Sequence, residues 1–600
     1  MRRLLLVCCL VVAMVAALMP TATATPHHRK HREPRKNPVA VGRGGAVSTV
    51  DPTATAAGLK VLRRGGNAVD AAVAAAATLG VTEPYSAGIG GGGFMLVHLA
   101  ESDEVVVIDG REEAPDDHRF GPGVFSEFTG GAGPFFDAVN SGLSVGVPGT
   151  LATWVDALER YGTISLRQAL RPATRAARRG FIVDETYASQ TEGNLERFRQ
   201  ITSTADTFLD DGEVPEVGSR FRNRDLARTY RKLARYGPEW FYGGDLGDEV
   251  VETVQNPPTT DETLEEWQPG YMDIFDLADY EVQNLEPTAV EYEGYDVFGM
   301  PSPSSGGITV GETLNIMEDG TWSDPLGFYH LFLESTAHAF ADRNAYIGDD
   351  RYVYVPADGM LSEEFAAERF AQIDPNAASD KPVAPGDPCD EDGGTNCVTD
   401  PNAVDAAEGE STTHLVTADR YGNMVSYTLT IEQTGGSAIT VPDRGFLLNN
   451  ELTDFNFTGP SPNLPAPGKR PRSSMSPTIV LDDGEPFLAV GTPGGSTIIT
   501  TVAQVLANRL GRDVDLPAAV EEPRATQRNT TDVRAEPAFL EEYGDGLTAL
   551  GHTFEDPPTD ELGAVTAIEL RGRRGFLAVA EAVRRGGGDA GVVRPRRYRR

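Results

Sequence analysis

The stretch STTHLVTADRYGNMVSYTLTI, Ser411 to Ile431, decides the fold. Two β-prone runs flank Asp419-Arg420-Tyr421-Gly422-Asn423, whose residues suit a five-residue hairpin loop. Symmetry about Tyr421 puts Ala418 opposite Met424, Val416 opposite Ser426 and Thr412 opposite Thr430. Directly opposed residues carry Cβ atoms about 4.5–5.5 Å apart, so two threonine hydroxyls meet at the open end. A cross-strand threonine pair is ordinary sheet surface unless polar groups gather round it. Here a long polar connection ends at Ser411, and three short polar clusters follow: Asn449–Phe455, Arg470–Thr478 and Gly491–Ser496.

Upstream, Ala54 to Val81 reads as two Ala-rich helices interrupted at Gly65-Gly66. Gly88 to Gly93 then forms a glycine cluster, followed by strand-like runs at Phe94–His98 and Val105–Ile108. Further helices are expected at Leu151–Tyr161, Leu166–Arg179, Asp225–Tyr236 and Tyr329–Tyr346. The Pro-, Asp-, Gly- and Ala-rich segment from Asp374 to Glu410 reads as an exposed connection. Strands dominate from there to about Thr500.

At roughly 150 residues per domain, 600 residues would make about four domains. A hydrophobic share of 40% excludes a wholly disordered chain. The net charge of −37, with no long basic run away from the chain ends, argues against nucleic acid as the main partner. Arg2 and Arg3 precede the apolar run Leu4–Leu18, then Pro20 and the small residues Thr21–Thr25. That pattern reads as a secretory signal over residues 1–24, cut after Ala24, and not as a membrane span. Export leaves Cys389 and Cys397, whose spacing in a polar stretch suits a loop-closing disulfide. Without nearby histidines the two make no zinc site. The basic leader 25–40 and the basic end Arg594–Arg600 read as frayed tails.

Two motif matches are declined. Gly88, Gly90 and Gly93 satisfy G-x-G-x-x-G, but a helix precedes them and a strand follows, the reverse of a dinucleotide site. They are read as a tight turn supporting a neighbouring site. Gly142-Leu143-Ser144-Val145-Gly146 satisfies G-x-S-x-G, but Pro148-Gly149 stands where the required helix should run.

The chain resembles the γ-glutamyltranspeptidases of the N-terminal-nucleophile hydrolase superfamily. Ten stretches match in family order: RRGGNAVDAAVA (63–74), GIGGGGFM (88–95), DGREEAP (109–115), VPGT (147–150), PSPSSGG (301–307), ADRN (341–344), TTH (412–414), LLNNELTDF (447–455), KRPRSSMSPTI (469–479) and GTPGGS (491–496). The resemblance implies an α+β fold, a four-layer αββα sandwich made as one inactive chain that cuts itself between Ser411 and Thr412. A large subunit, 25–411, and a small subunit, 412–600, would share that one sandwich. Cleavage frees an α-amine with a pKa near neutrality, able to take the Thr412 hydroxyl proton. No metal or cofactor is required.

By the same resemblance Thr412 is the nucleophile and Thr430 its support. Arg111 with Ser473 and Ser474 would clamp the α-carboxylate of a γ-glutamyl donor, and Glu451 and Asp454 would accept its α-ammonium. The backbone N–H groups of Gly494 and Gly495 would form the oxyanion hole. Glu432 stands where the compared transpeptidases usually carry asparagine, which would put up to three carboxylates, Glu432, Glu451 and Asp454, about one ammonium. The interval from Asp454 to Ser473 is short and Pro-rich and leaves little room for a lid. The implied activity is a secreted, self-processing γ-glutamyl hydrolase and transferase acting on glutathione or other γ-glutamyl compounds, with water, an amino acid or a peptide as acceptor. The alternatives are a glutaryl-type (cephalosporin) acylase of the same fold and an inactive secreted binding protein.

Overall fold

In the computed structural model the hairpin forms in the anticipated register, with Ala418 opposite Met424, Ser426 opposite Val416 and Thr430 opposite Thr412. The structure describes residues 35–125, 134–261, 263, 267–322, 324–389, 411–572 and 575–596. The expected signal, the start of the basic leader, Cys397 and residues 597–600 lie outside them, but Val39, Ala40 and Arg594 to Arg596, read as parts of frayed tails, are instead paired in strands.

Thirteen strands form one hydrogen-bonded run: β1 (Val39–Thr49), β2 (Gly92–Leu99), β3 (Glu104–Gly110), β4 (Gln283–Leu285), β5 (Thr288–Tyr292), β6 (Tyr295–Gly299), β7 (Thr412–Asp419), β8 (Met424–Thr430), β9 (Thr478–Asp482), β10 (Glu485–Gly491), β11 (Thr566–Arg571), β12 (Gly575–Ala580) and β13 (Asp589–Arg596). Their order is β4-β3-β2-β8-β7-β1-β12-β11-β10-β9-β6-β5, with β13 also on β1. The run folds into two layers at β1, whose first half pairs with β12 and whose second half pairs with β7. Gly44 and Gly45, at φ 87° and 120°, make the bend between the halves.

Side chains alternate across β2. Phe94 and Leu96 point into a core shared with β9–β12, while Met95 and Val97 point into a core with the helices outside the first layer. Those helices are α1 (Pro52–Arg63), α2 (Ala68–Thr82), α3 (Thr150–Tyr161), α4 (Arg171–Arg179) and α5 (Arg224–Tyr236). Beyond the second layer lie α6 (Gly306–Glu318), α7 (Pro325–Tyr346) and α8 (Thr497–Leu506). The result is the αββα sandwich, α+β in class.

Helix α2 shows why the sequence folds this way. Every residue from Ala68 to Thr82 is buried, and an alanine-rich helix that is apolar all round can lie close against a sheet. Asn67 and Asp70 form a reciprocal capping box at its start. Asp419 at the hairpin loop accepts the Ala68 N–H at 3.0 Å, fixing the hairpin to the helix.

Two expected helices differ. Leu166–Arg179 is two helices, Leu166–Ala169 and α4, because Pro172 has no N–H to continue the first. The helix expected at Tyr329–Tyr346 begins at Pro325, where Asp324 caps it by accepting the Gly327 N–H at 2.9 Å. No helix among the described residues is long and apolar enough to cross a membrane.

Candidate active site

Thr412 opens β7 and Thr430 closes β8, so the antiparallel register alone brings them together at the end of the hairpin away from its loop. The Thr412 hydroxyl faces Thr430 Oγ1 at 3.4 Å. Thr430 Oγ1 donates to the Ser411 carbonyl at 2.9 Å and accepts the Glu432 N–H at 2.8 Å. A single hydroxyl thus touches both sides of the Ser411–Thr412 junction, the Thr412 hydroxyl and the Ser411 carbonyl. Ser411 is itself buried and held, donating to Tyr85 O at 3.0 Å and meeting Ser86 Oγ at 2.9 Å.

The glycine cluster supports this geometry by close approach. A Cβ on Gly91 would lie 2.0 Å from Thr430 O, and one on Gly93 would lie 2.3 Å from Thr428 O. The dinucleotide reading of this cluster fails as argued, since β2 follows it directly. The serine-elbow reading fails too: Ser144 sits in a short 3-10 turn and donates to Val139 O and Ser141 O.

Arg111, Thr412, Thr430, Glu432, Glu451, Asp454, Ser473, Ser474 and Gly495 line one small cavity of about 20 Å³. Of the catalytic, cleavage and substrate-binding residues read from the sequence, only Gly494 and Ser411 do not line it, although both adjoin lining residues. No residue between 455 and 472 lines it either. Asn463 pins that Pro-rich interval by donating to Asp454 O at 2.6 Å and accepting the Arg472 N–H at 2.8 Å.

The charges pair in a way the sequence does not reveal. Arg111 donates to Glu451 through Nη1 and to Asp454 through Nη2 at 2.5 Å, so the proposed carboxylate clamp and ammonium acceptors hold one another. Nε and Nη2 also donate to Pro471 O and Arg472 O. The physical reason is burial: Arg111 and Glu451 are each 1% exposed, and buried charges need partners. Burial works against the Arg111 charge, but Glu451, Asp454 and Glu112 outweigh it and keep the guanidinium protonated. Burial first, then the neighbouring Glu451 carboxylate, push Glu112 well above the ordinary carboxylate range, with Arg111 opposing them.

Glu432, at φ 77°, accepts from the Asn450 amide, which directs its carboxylate to one side of the cavity. Ser474 Oγ accepts from Arg343 Nη2 at 2.7 Å, and Arg343 Nε reaches Ser305 Oγ at 2.9 Å. Gly494 and Gly495, at φ 139° and 56°, precede α8. Burial pulls His414 down to about 3, so it stays neutral, and its Nδ1 meets Thr428 Oγ1 at 2.7 Å.

Three residues escaped the sequence reading. Glu112 and Arg343 stood inside matched stretches with no role assigned. Arg585 had no signal at all. It lies near the end of the chain at φ 53°, yet it donates to Thr412 O at 2.6 Å and Ser86 Oγ at 3.1 Å. One group among the described residues, His330, Glu334 and His552, could hold a metal ion. Its members are satisfied internally: the histidines meet at 2.8 Å and Lys381 Nζ lies 2.8 Å from Glu334 Oε1.

A threonine opening a central strand of an αββα sandwich, with a buried junction before it, defines the N-terminal-nucleophile hydrolase class. Residues 54–592 match the family model described as gamma-glutamyltranspeptidase. The chain is 38% identical to a glutathione hydrolase proenzyme of Bacillus subtilis (strain 168), over 96% of this chain and 97% of that one. It is 35% identical to the glutathione hydrolase proenzyme of Escherichia coli (strain K12), over 80% of each. The crystal structure of a cephalosporin acylase from Bacillus halodurans superposes with a TM-score of 0.78 at 26% identity, covering 94% of this chain and 98% of that one. The chain belongs to the γ-glutamyltranspeptidase family and is an enzyme of it.

Proposed function

We propose that the chain is a glutathione hydrolase and γ-glutamyltransferase that matures by cutting itself between Ser411 and Thr412. The observation that carries this is Thr430 Oγ1, placed between the Thr412 hydroxyl and the Ser411 carbonyl. In the cut, Thr412 Oγ attacks the Ser411 carbonyl carbon. Thr430 takes the Thr412 proton as it passes its own to the carbonyl oxygen. Breaking the C–N bond hands the acyl group to Oγ and a proton to the nitrogen, and water then hydrolyses the ester. Residues 412 onward become the small subunit with Thr412 at its head.

In turnover the new α-amine takes the Thr412 proton while Oγ attacks the γ-carbonyl of the donor. The Gly494 and Gly495 N–H groups stabilise the oxyanion, and the leaving amine departs protonated. A γ-glutamyl donor is a zwitterion at its α-carbon. Its carboxylate would replace Glu451 and Asp454 on Arg111, with Ser473 and Ser474 alongside, while its ammonium satisfies the released carboxylates. This exchange leaves no buried charge unpaired. Water or an amine then resolves the γ-glutamyl-threonine ester. Residues 1–24 act as the export signal, and Cys389 pairs with Cys397 in the secreted protein.

Denaturing electrophoresis tests the cut: the wild type should give two pieces and Thr412→Ala one. Hydrolysis of a γ-glutamyl anilide against its glutaryl analogue tests the donor. Equal rates would mean that the ammonium acceptors contribute nothing and would favour the acylase alternative.

A further inference from the structure

Six arginines line one groove on the outer helical layer, away from the cavity just described. Arg167, Arg171, Arg175 and Arg178, from α4 and the short helix Leu166–Ala169 before it, share the groove with Arg231 and Arg235 of α5. The groove encloses about 640 Å³, and only Thr174 and Ala234 complete its lining. The patch is invisible in the sequence because neither helix alone carries a long basic run. Their packing builds it.

Folding does not require these side chains. Helix α4 is held by Ala173, Ala176 and Ala177, and α5 by Leu226, Ala227, Tyr230 and Leu233, all buried. The six arginines are exposed, and among the described residues none has an acidic partner within ion-pair distance. Arg228, one turn before Arg231 on α5, does pair, with Asp225. In a chain of 89 acidic and 52 basic residues, an unselected surface would intersperse the two signs. Here six cations gather with no anion among the lining residues. The field extends to α1, where burial first and then Arg175, Arg64 and Arg179 hold Lys60 below the ordinary lysine range. Glu159 stands in the adjoining groove beside Arg167 and Arg235, too few negative charges to neutralise the set.

We propose that the groove between α4 and α5 is a binding site for a linear polyol-phosphate polymer, a chain of phosphodiesters without bases. Along α4, Arg171 and Arg175 are one turn apart, a rise of about 6 Å, so successive cations can meet successive charges of an extended polymer. Guanidinium groups line both helices. Every charge in the groove is an arginine and none a lysine, and the guanidinium fork is the side chain fitted to phosphate oxygens. Nucleic-acid grooves add aromatic platforms for the bases; here the lining holds none, and the one neighbouring ring, Tyr236 in the adjoining groove, has Arg235 over its face.

The test is binding of fluorescently labelled poly(glycerol phosphate) to the full chain, read by anisotropy across a salt series. Polyglutamate and a single-stranded oligodeoxynucleotide of equal charge serve as comparisons. The wild type should bind poly(glycerol phosphate) most tightly of the three, with log K falling linearly in log salt. Arg175→Glu/Arg178→Glu/Arg231→Glu should lose about 100-fold or more in affinity, and the same triple to Gln about tenfold. Both should hydrolyse a γ-glutamyl anilide as the wild type does, which also reports intact folding. No binding at 0.15 M salt, equal or tighter binding of either comparison polymer, or wild-type affinity in both triples would overturn the proposal.

Discussion

Thr430→Val removes one oxygen from the junction and keeps the shape of the side chain. In the wild type that oxygen donates to the Ser411 carbonyl at 2.9 Å and faces the Thr412 hydroxyl at 3.4 Å. As the carbonyl becomes an oxyanion the first contact strengthens. Losing one such donor slows acyl chemistry by about 10²–10³-fold, or about 2.7–4 kcal/mol. The second loss, the relay for the Thr412 proton, acts in the same direction. The Glu432 N–H also loses its acceptor, a cost to folding of about 1–3 kcal/mol that must be separated from the kinetic effect. Uncut precursor is therefore purified and incubated, and the uncut fraction is followed on denaturing gels, with thermal unfolding of each variant measured in parallel. Thr430→Ser keeps the hydroxyl and should mature within about tenfold of the wild type. Maturation of Thr430→Val at the wild-type rate, or a serine variant as slow as the valine one, would refute the relay.

Arg111→Met should leave Glu451 and Asp454 buried without their cation. It should destabilise the protein by about 3–5 kcal/mol and abolish measurable affinity for a γ-glutamyl donor, and an unchanged donor KM would contradict the clamp. Arg585→Gln should slow maturation by about 10–100-fold, since a charged hydrogen bond of the kind it makes to Thr412 O contributes about 1.5–3 kcal/mol; gel densitometry that shows no change would remove Arg585 from the junction. Glu83 is raised to about 7, mainly by burial, with Arg585 opposing. Because the folded value lies above the unfolded one, Glu83 contributes stability that is full at low pH and lost as pH rises through about 7. Glu83→Gln should therefore flatten the fall in stability between pH 5 and 8, by about 1–3 kcal/mol. Urea titrations of both proteins at the two pH values would expose the error if the curves stay parallel.

Much of the site could be read before folding. A hairpin is a local object, so a symmetric loop sufficed to place Thr412 opposite Thr430. The glycine cluster was recognisable as a tight turn supporting a neighbouring site because its order relative to helix and strand excluded the alternative, while its close backbone approach to β8 came only with the fold. Arg111, Glu451, Asp454, Ser473 and Ser474 were identified as one set through the matched stretches, and they do line one cavity. That Arg111 pairs with Glu451 and Asp454 was not legible, because pairing depends on burial, and burial is decided by the whole sandwich. Arg585 reaches the junction only because β12 and β13 flank β1, which lies beside β7. No spacing within the chain encodes that path.

By itself the sequence determined the hairpin register, since period-two strands and tight turns are set by neighbours a few positions apart, while the ten matched stretches carried the family and the candidate residues by resemblance. Tertiary structure alone decided which charges neutralise one another in the cavity, which distant cation holds the Thr412 carbonyl, and that arginines from two separate helices make one groove. Those outcomes come from desolvation and packing between segments remote in the chain, and their energies exist only once the layers are assembled.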